Sequence, residues 1–306
     1  MALFLTHAQP RVQGIIAALA IHNIEGHALS FQQVVQSDNQ AQACRDQRGR
    51  IDLYDHVIFV SPNAVDAFFQ ANVHVKTVDH TAVNHAAVNH AAAQHAAAQH
   101  AGASIAGEFN ASQWLAVGPG SQAAIEHWLG RPLMATKIQT TAYPADSIAQ
   151  AFDADGLLEQ IDDLLAARAK QQSQHRQQPP LKVLVVKGAI GRTDWIAALQ
   201  AKGVIVDELQ AYSLIDCAPS PSVVTALAQH RQTGGHVVIV LTSVANVQRL
   251  TGWAQSLEPA DCLYWLQNQL VCGIHPRIVA RLRAASFVHT KEIMPGLDGL
   301  RAAALK

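Results

Sequence analysis

The stretch HVIFVSPNAVDAFF, residues 56–69, decides how this chain folds, and VVIVLTSVANVQRL, residues 237–250, repeats its plan. Each opens with an apolar run of strand length. Each then turns at a serine, Ser61 or Ser243, and continues with apolar residues at helical spacing. Serine is a preferred N-cap, and Pro62 suits the first position of a helix. The strands are apolar at nearly every position, which fits a sheet covered on both faces. A buried strand, a capped turn and a helix make one βα unit of a parallel sheet.

The same unit recurs along the chain. Strand-like residues 3–5 precede a helical pattern over 11–20. Residues 114–117 precede 121–129, 183–186 precede 195–201, and 270–272 precede 278–282. The order repeats too. LFLTHAQPRVQGIIAAL (3–19) resembles VLVVKGAIGRTDWIAAL (183–199), and LAVGPGSQAAIEHWLG (115–130) resembles LVCGIHPRIVARLRAA (270–285). Thr6 to Lys187 is an offset of 181 and Ser61 to Ser243 one of 182, but Gly118 to Gly273 is only 155. One half therefore carries about 27 extra residues between its second and third units. Residues 79–104 fill that interval, and a second shift to Gln-rich composition covers 168–180, ending in Pro179 and Pro180. Two prolines cannot continue a helix, so this stretch reads as a helix end running into a linker.

The insertion holds a ladder: His80, His85, His90, His95 and His100 recur at a step of five. On a helix that step advances about 500°, which scatters the imidazoles around the axis. On a strand an odd step alternates faces. Neither builds a row of ligands, and the zinc pair at i, i+4 is missing. The ladder reads as a low-complexity surface insertion, with loose metal binding as the lesser reading.

Composition narrows the function classes. At 306 residues, two domains of roughly 150 are expected. With 49% apolar residues the chain can bury a core, so global disorder is excluded. Its 22 Lys and Arg balance 23 Asp and Glu, so no broad nucleic-acid footprint is expected. The start MALFLTHAQP lacks a basic region before its apolar run, so no signal peptide is expected, and no run reaches the roughly 18 residues of a membrane span. Cys44, Cys217, Cys262 and Cys272 show no paired spacing and read as reduced thiols of a cytoplasmic protein.

The chemistry should sit at the strand-to-helix junctions. Ser61-Pro62-Asn63-Ala64, Gly118-Pro119-Gly120-Ser121, Thr242-Ser243 and Gly273 through Arg277 each open a helix. Helix N-termini offer free N–H groups to anions, and parallel sheets bind ligands at the carboxyl ends of their strands. Each junction alone is only a cap. Together they point to a cleft for a ligand bearing several carboxylates or phosphates. Gly118 to Ala123 fits G-x-G-x-x-A, but the acidic residue expected about 20 positions on is replaced by Lys137-Ile138-Gln139-Thr140, so a dinucleotide is not expected. Gly188 to Thr193 lacks the Lys-Ser/Thr ending of a phosphate-binding loop.

On these motifs the chain resembles the uroporphyrinogen-III synthase family. The resemblance rests on Ser61-Pro62-Asn63-Ala64-Val65, Ala116-Val117-Gly118-Pro119-Gly120-Ser121, Val186-Lys187-Gly188 with Gly191-Arg192, Gly203, Ala211-Tyr212 and Thr242-Ser243. His275-Pro276-Arg277-Ile278 is similar to the variant of proteobacterial members. Each motif is short; their shared order carries the match. The resemblance implies two α/β lobes with mainly parallel sheets, joined by a two-stranded connector. One lobe is discontinuous, from residues 1–35 plus 215–306, and the other covers 38–211 with the insertion.

It also implies cyclisation of hydroxymethylbilane to uroporphyrinogen III, with loss of water and inversion of the last pyrrole ring, without cofactor or metal. A monomer is implied, in at most transient contact with hydroxymethylbilane synthase. Tyr212 is the implied catalytic residue, since a phenol with a pKa near 10 carries a proton to donate at neutral pH. The implied substrate contacts are Thr6, His7, Ser61, Pro62, Asn63, Ala64, Gly118, Ser121, Lys187, Gly188, Arg192, Thr242, Ser243, His275 and Arg277. Backbone amides and hydroxyls reconcile a substrate of eight carboxylates with a near-neutral protein. Three departures stand out. His7 takes the place of a usual arginine, Lys187 replaces a bidentate arginine by a point charge, and Ser121 keeps the hydroxyl of a common threonine. The rival reading is a degenerate relative that holds a polyanion without turnover.

Overall fold

Strands that are apolar on both faces need helices on both sides, and the chain supplies them in alternation. The computed structural model describes residues 2–70, 114–130, 158, 161–162, 165–166, 179–191, 193–257 and 261–305. The histidine ladder, most of the Gln-rich stretch and Arg192 lie outside the described residues. Two compact units are present, one of residues 1–35 with 214–306 and one of residues 36–213.

The discontinuous unit is built on a parallel sheet of β1 (Ala2–Leu5), β2 (Gly26–Ala28), β8 (Val237–Leu241), β9 (Leu270–Gly273) and β10 (His289–Glu292). Its spatial order is β10-β9-β8-β1-β2. Period-two alternation divides its core into two layers. Phe4, Val237, Ile239 and Leu241 face helices α6 (Pro221–Gln232), α7 (Val244–Gln255), α8 (Cys262–Gln267) and α9 (Pro276–Ala284). Leu3, Leu5, Val238 and Val240 face α1 (Arg11–Ala20) and α10 (Leu297–Ala304). Each such side chain, fully buried, contributes about 1.5–3 kcal/mol.

The continuous unit carries β4 (His56–Phe59), β5 (Trp114–Ala116), β6 (Lys182–Gly188) and most of β7 (Ile205–Asp216); β3 (Gln32–Val35), just before the unit begins, is the edge strand of that sheet, whose order is β3-β7-β6-β4-β5. The pairs β4/β5, β4/β6 and β6/β7 are parallel. Ile58, Val183 and Val185 pack toward α5 (Asp194–Ala201). Phe59, Phe68, Phe69, Trp114 and Trp128 form an aromatic stack that joins β4 and β5 to α3 (Pro62–Gln70) and α4 (Pro119–Leu129). Helix α2 (Asp38–Arg48) starts with a capping box between Ser37 and Gln40. The fold class is thus the expected one: two α/β units on mainly parallel sheets.

The two sheets share a plan. β2-β1-β8-β9 runs in the same spatial order as β7-β6-β4-β5. The sequence repeat of 3–19 with 183–199 and of 237–250 with 56–69 maps β1 on β6 and β8 on β4. No helix among the described residues is long and apolar enough to cross a membrane.

Candidate functional site

Strands β6 and β7 pair residue by residue from Lys182↔Ile205 to Lys187↔Gln210, then jump to Gly188↔Tyr212. Ala211 is the extra residue of a β-bulge, a device that re-aims the side chain after it. The bulge sets Tyr212 across from Gly188. The phenol ring fills the space that a side chain at Gly188 would need: a Cβ there would lie 2.8 Å from Tyr212 Cζ and 3.0 Å from its Oη. The Ala189 N–H donates to the Tyr212 carbonyl at 2.9 Å and holds the pair.

Ser61 reaches the phenol from β4, the next strand. Its Oγ lies 3.1 Å from Tyr212 Oη and also accepts the Ala64 N–H at 3.1 Å, so one hydroxyl caps α3 and anchors the tyrosine. Asn63 hydrogen-bonds the same phenol. Burial pushes the Tyr212 phenol above its ordinary value, and the hydrogen bonds from Ser61 and Asn63 pull against that rise. The group is therefore a protonated acid at neutral pH, with two groups beside it that favour its anion once the proton leaves.

Around this centre the unit gathers other expected residues. Pro62 lies against the next junction, where a Cβ on Gly120 would sit 3.2 Å from its Cγ. Gly118 opens α4 at φ 90° and ψ 162°, a left-handed-side backbone that a side chain resists. Ala64 is fully buried. Two residues depart from expectation. Ser121 is buried, and its hydroxyl donates back to the Val117 carbonyl at 3.2 Å rather than facing outward. Lys187 has its ammonium 2.5 Å from the Glu208 carboxylate, so its charge is already matched within the sheet.

The other unit has its own polar end at β1 and β8. Thr6 is buried, and its hydroxyl donates to the Val240 carbonyl at 3.0 Å. Ser243 caps α7, accepting the Asn246 N–H at 3.2 Å. The Asn246 amide donates toward the Thr6 carbonyl at 3.2 Å, the Thr6 hydroxyl at 3.1 Å and the Thr242 hydroxyl at 3.3 Å. Its own carbonyl, Oδ1, is buried without a partner among the described residues. Asn246 ties the junction together and is not among the expected site residues. The signal for it lies in the repeat, because Asn246 stands three residues after its cap where the other half has apolar Ala64.

His7 follows Thr6. Burial, with the Arg11 charge as a lesser cause, pushes its imidazole down to about 4. At neutral pH it is uncharged, so it does not replace the cation of the family's usual arginine; its desolvated setting is the reason. Farther along the sheet, His275 caps α9 by accepting the Arg277 N–H at 3.1 Å, and Arg277 is exposed.

A family model described as uroporphyrinogen-III synthase HemD matches residues 14–292 of the chain. Among solved structures, the chain is 10% identical to uroporphyrinogen-III synthetase of Helicobacter pylori, with a TM-score of 0.46, over 99% of this chain and 98% of that one. It is 12% identical to a mutant uroporphyrinogen III synthase of Thermus thermophilus, with a TM-score of 0.45 over the same shares. No curated protein matches it.

Proposed function

The chain belongs to the uroporphyrinogen-III synthase family, and we propose that Tyr212 is the proton donor of its reaction. That reaction is the cyclisation of hydroxymethylbilane to uroporphyrinogen III, with loss of water and inversion of the last pyrrole ring. The observation that carries the proposal is the 3.1 Å bond between Ser61 Oγ and a buried, protonated Tyr212 Oη at the carboxyl ends of β4 and β6. As the C–O bond of the substrate's hydroxymethyl group breaks, the phenol proton passes to the departing oxygen, which leaves as water. The substrate is left as a cationic methylene–pyrrole that the other end of the chain attacks, and the phenolate, stabilised by the Ser61 hydroxyl and the Asn63 amide, takes back the proton that the last pyrrole sheds when the macrocycle closes. Hydroxide is far more basic than phenolate, so the transfer runs downhill as the bond opens.

Each unit offers carboxylates its own helix N-termini: Ser61, Asn63 and the Gly118 turn in one, Thr242, Ser243 and the α9 start with Arg277 in the other. These positions combine N–H groups with the positive ends of helix dipoles. The protein acts as a cytoplasmic monomer. Its substrate closes by itself to isomer I, so direct transfer from hydroxymethylbilane synthase serves it well.

The test is Tyr212→Phe, with turnover and the ratio of isomer III to isomer I measured from supplied hydroxymethylbilane. We expect kcat to fall by about 100-fold or more with KM little changed. Undiminished kcat would remove Tyr212 from proton transfer.

A further inference from the structure

The discontinuous unit holds a second polar cluster at the amino-terminal end of its strands, beside edge strand β2. Glu25 and His27 flank Gly26 at the start of edge strand β2, so both side chains leave the same face. The Glu25 carbonyl accepts the Leu3 N–H at 2.9 Å, which fixes this segment to β1. His230 arrives from the last turn of α6. His230 therefore meets Glu25 and His27 through the tertiary fold, more than 200 residues away in sequence.

Their floor is Phe4. The His27 ring stacks on it at 4.8 Å between centroids, and the His230 ring stands edge-on at 6.1 Å. His27 Nε2 lies 2.9 Å from Glu25 Oε1. One ligand atom from each of Glu25, His27 and His230 lies within 4.8 Å of the other two. Both imidazoles are half-buried, and the carboxylate is exposed. The neighbouring Arg231 guanidinium is engaged by Asp261.

We propose that Glu25, His27 and His230 form a binding site for one divalent transition-metal cation of the zinc type. Two imidazoles and a carboxylate suit a borderline cation rather than calcium or magnesium, which prefer all-oxygen shells. Metal–ligand distances near 2.1 Å put tetrahedral ligand atoms about 3.4 Å apart. The cluster needs a contraction of up to about 1.4 Å to reach that spacing. Glu25 and His27 already lie 2.9 Å apart, so the contraction falls on the approach of His230 from the last turn of α6, and the fourth position is open to water. The apolar Phe4 ring beneath the imidazoles restricts their rotation and lowers the local dielectric. A cation there clamps edge strand β2 to the end of α6. Glu25 precedes β2 and His230 precedes β8, whereas Thr6 and Thr242 follow β1 and β8, so the clamp lies away from the junction residues.

The test uses the full chain freed of metal, with zinc(II) alone as probe. Diethyl pyrocarbonate labelling, read peptide by peptide by mass spectrometry, reports His27 and His230 separately from every other histidine. Zinc is expected to protect both with a single midpoint. Glu25→Gln is expected to raise that midpoint at least about tenfold. His230→Ala is expected to return His27 to its metal-free labelling rate, with circular dichroism checking that the variant is folded. The proposal is overturned if His27 and His230 label at metal-free rates in roughly a hundredfold molar excess of zinc. It is equally overturned if their midpoints differ or if Glu25→Gln leaves the midpoint in place.

Discussion

The two units end their central strands in the same way and equip those ends differently. In each, a serine caps the helix after one strand: Ser61 accepts the Ala64 N–H, Ser243 the Asn246 N–H. In each, a second strand ends beside that cap, β6 at Gly188 and β1 at Leu5. The continuous unit leaves the glycine bare and the third cap position apolar, and Tyr212 enters the space. The discontinuous unit has Ala8 at the glycine's position, an imidazole, His7, just before it, and Asn246 at the third cap position. A phenol gives up a proton; an amide in that position only orients its neighbours. On the proposed reading, the shared plan has one end that transfers a proton and one that holds a ligand. The differences that tell them apart are Gly188 against Ala8, Lys187 against His7 and Ala64 against Asn246.

Gly188→Ala should break the contrast most severely. The added methyl has no room beside the Tyr212 ring, with 2.8 Å to Cζ. Moving the ring pulls Oη off Ser61, so turnover should fall by about 100-fold, as for removal of the acid itself. Overpacking should also lower stability by about 1–3 kcal/mol. Steady-state kinetics beside urea melts would check both. A stable variant with full turnover would show that the close approach of Gly188 and Tyr212 does not matter to the reaction.

His7 sets up the next contrast, because its buried imidazole stands where the repeat places Lys187, an ammonium paired with Glu208. Its folded value is depressed to about 4 from an ordinary value near 6.5. The unfolded chain therefore binds the extra proton between those values. The contribution is fully present above about pH 6.5 and is lost as the pH falls through the folded value near 4. It amounts to about 3 kcal/mol at most. Urea midpoints of the parent and of His7→Asn, taken at pH 7.5 and pH 4.5, should differ in their drop, with the parent falling more. Equal drops would mean that His7 titrates alike in both states.

Much of this was legible in the sequence, and the reasons are local. A strand–serine–helix pattern such as 56–69 states its own secondary structure and burial, and the repeat of that pattern states the sheet class. The bulge at Ala211 is another matter. Nothing in Gln210-Ala211-Tyr212 says which residue the ladder skips, because that depends on register against β6. The Tyr212–Gly188 contact follows from that register, so the tyrosine is reached through family resemblance and not through spacing. Ser121 shows the same limit. Its position after Gly118-Pro119-Gly120 marks a helix start, but whether its hydroxyl turns outward or back to Val117 is a rotamer choice. Asn246 is readable in principle, as a polar residue at the repeat position of a buried alanine.

Asn246→Ala should cost less than either change above. It removes the amide that reaches Thr6 and Thr242 and leaves the Thr6 carbonyl short of a donor. Stability should drop by about 1–3 kcal/mol. If this end binds and does not transfer protons, KM should rise while kcat stays within about threefold. A collapse of kcat with KM unmoved would place chemistry in the discontinuous unit and reverse the comparison.

The smallest change is the sharpest test of that division, because it is made identically in both units. Ser61→Ala and Ser243→Ala each delete a helix cap at the end of a parallel strand. Loss of a serine cap costs about 1 kcal/mol, so the two variants should lose similar stability in urea. Their kinetics should part. Ser243 Oγ accepts one backbone N–H, and its loss should leave kcat nearly unchanged. Ser61 Oγ also holds Tyr212 Oη, so its loss frees the phenol and removes one stabiliser of the phenolate. Turnover of Ser61→Ala should therefore fall by about tenfold beyond any effect of Ser243→Ala. Equal kinetic losses in the two variants would mean that both hydroxyls serve only as caps, and the acid would have to be anchored by Asn63 and Gly188 alone.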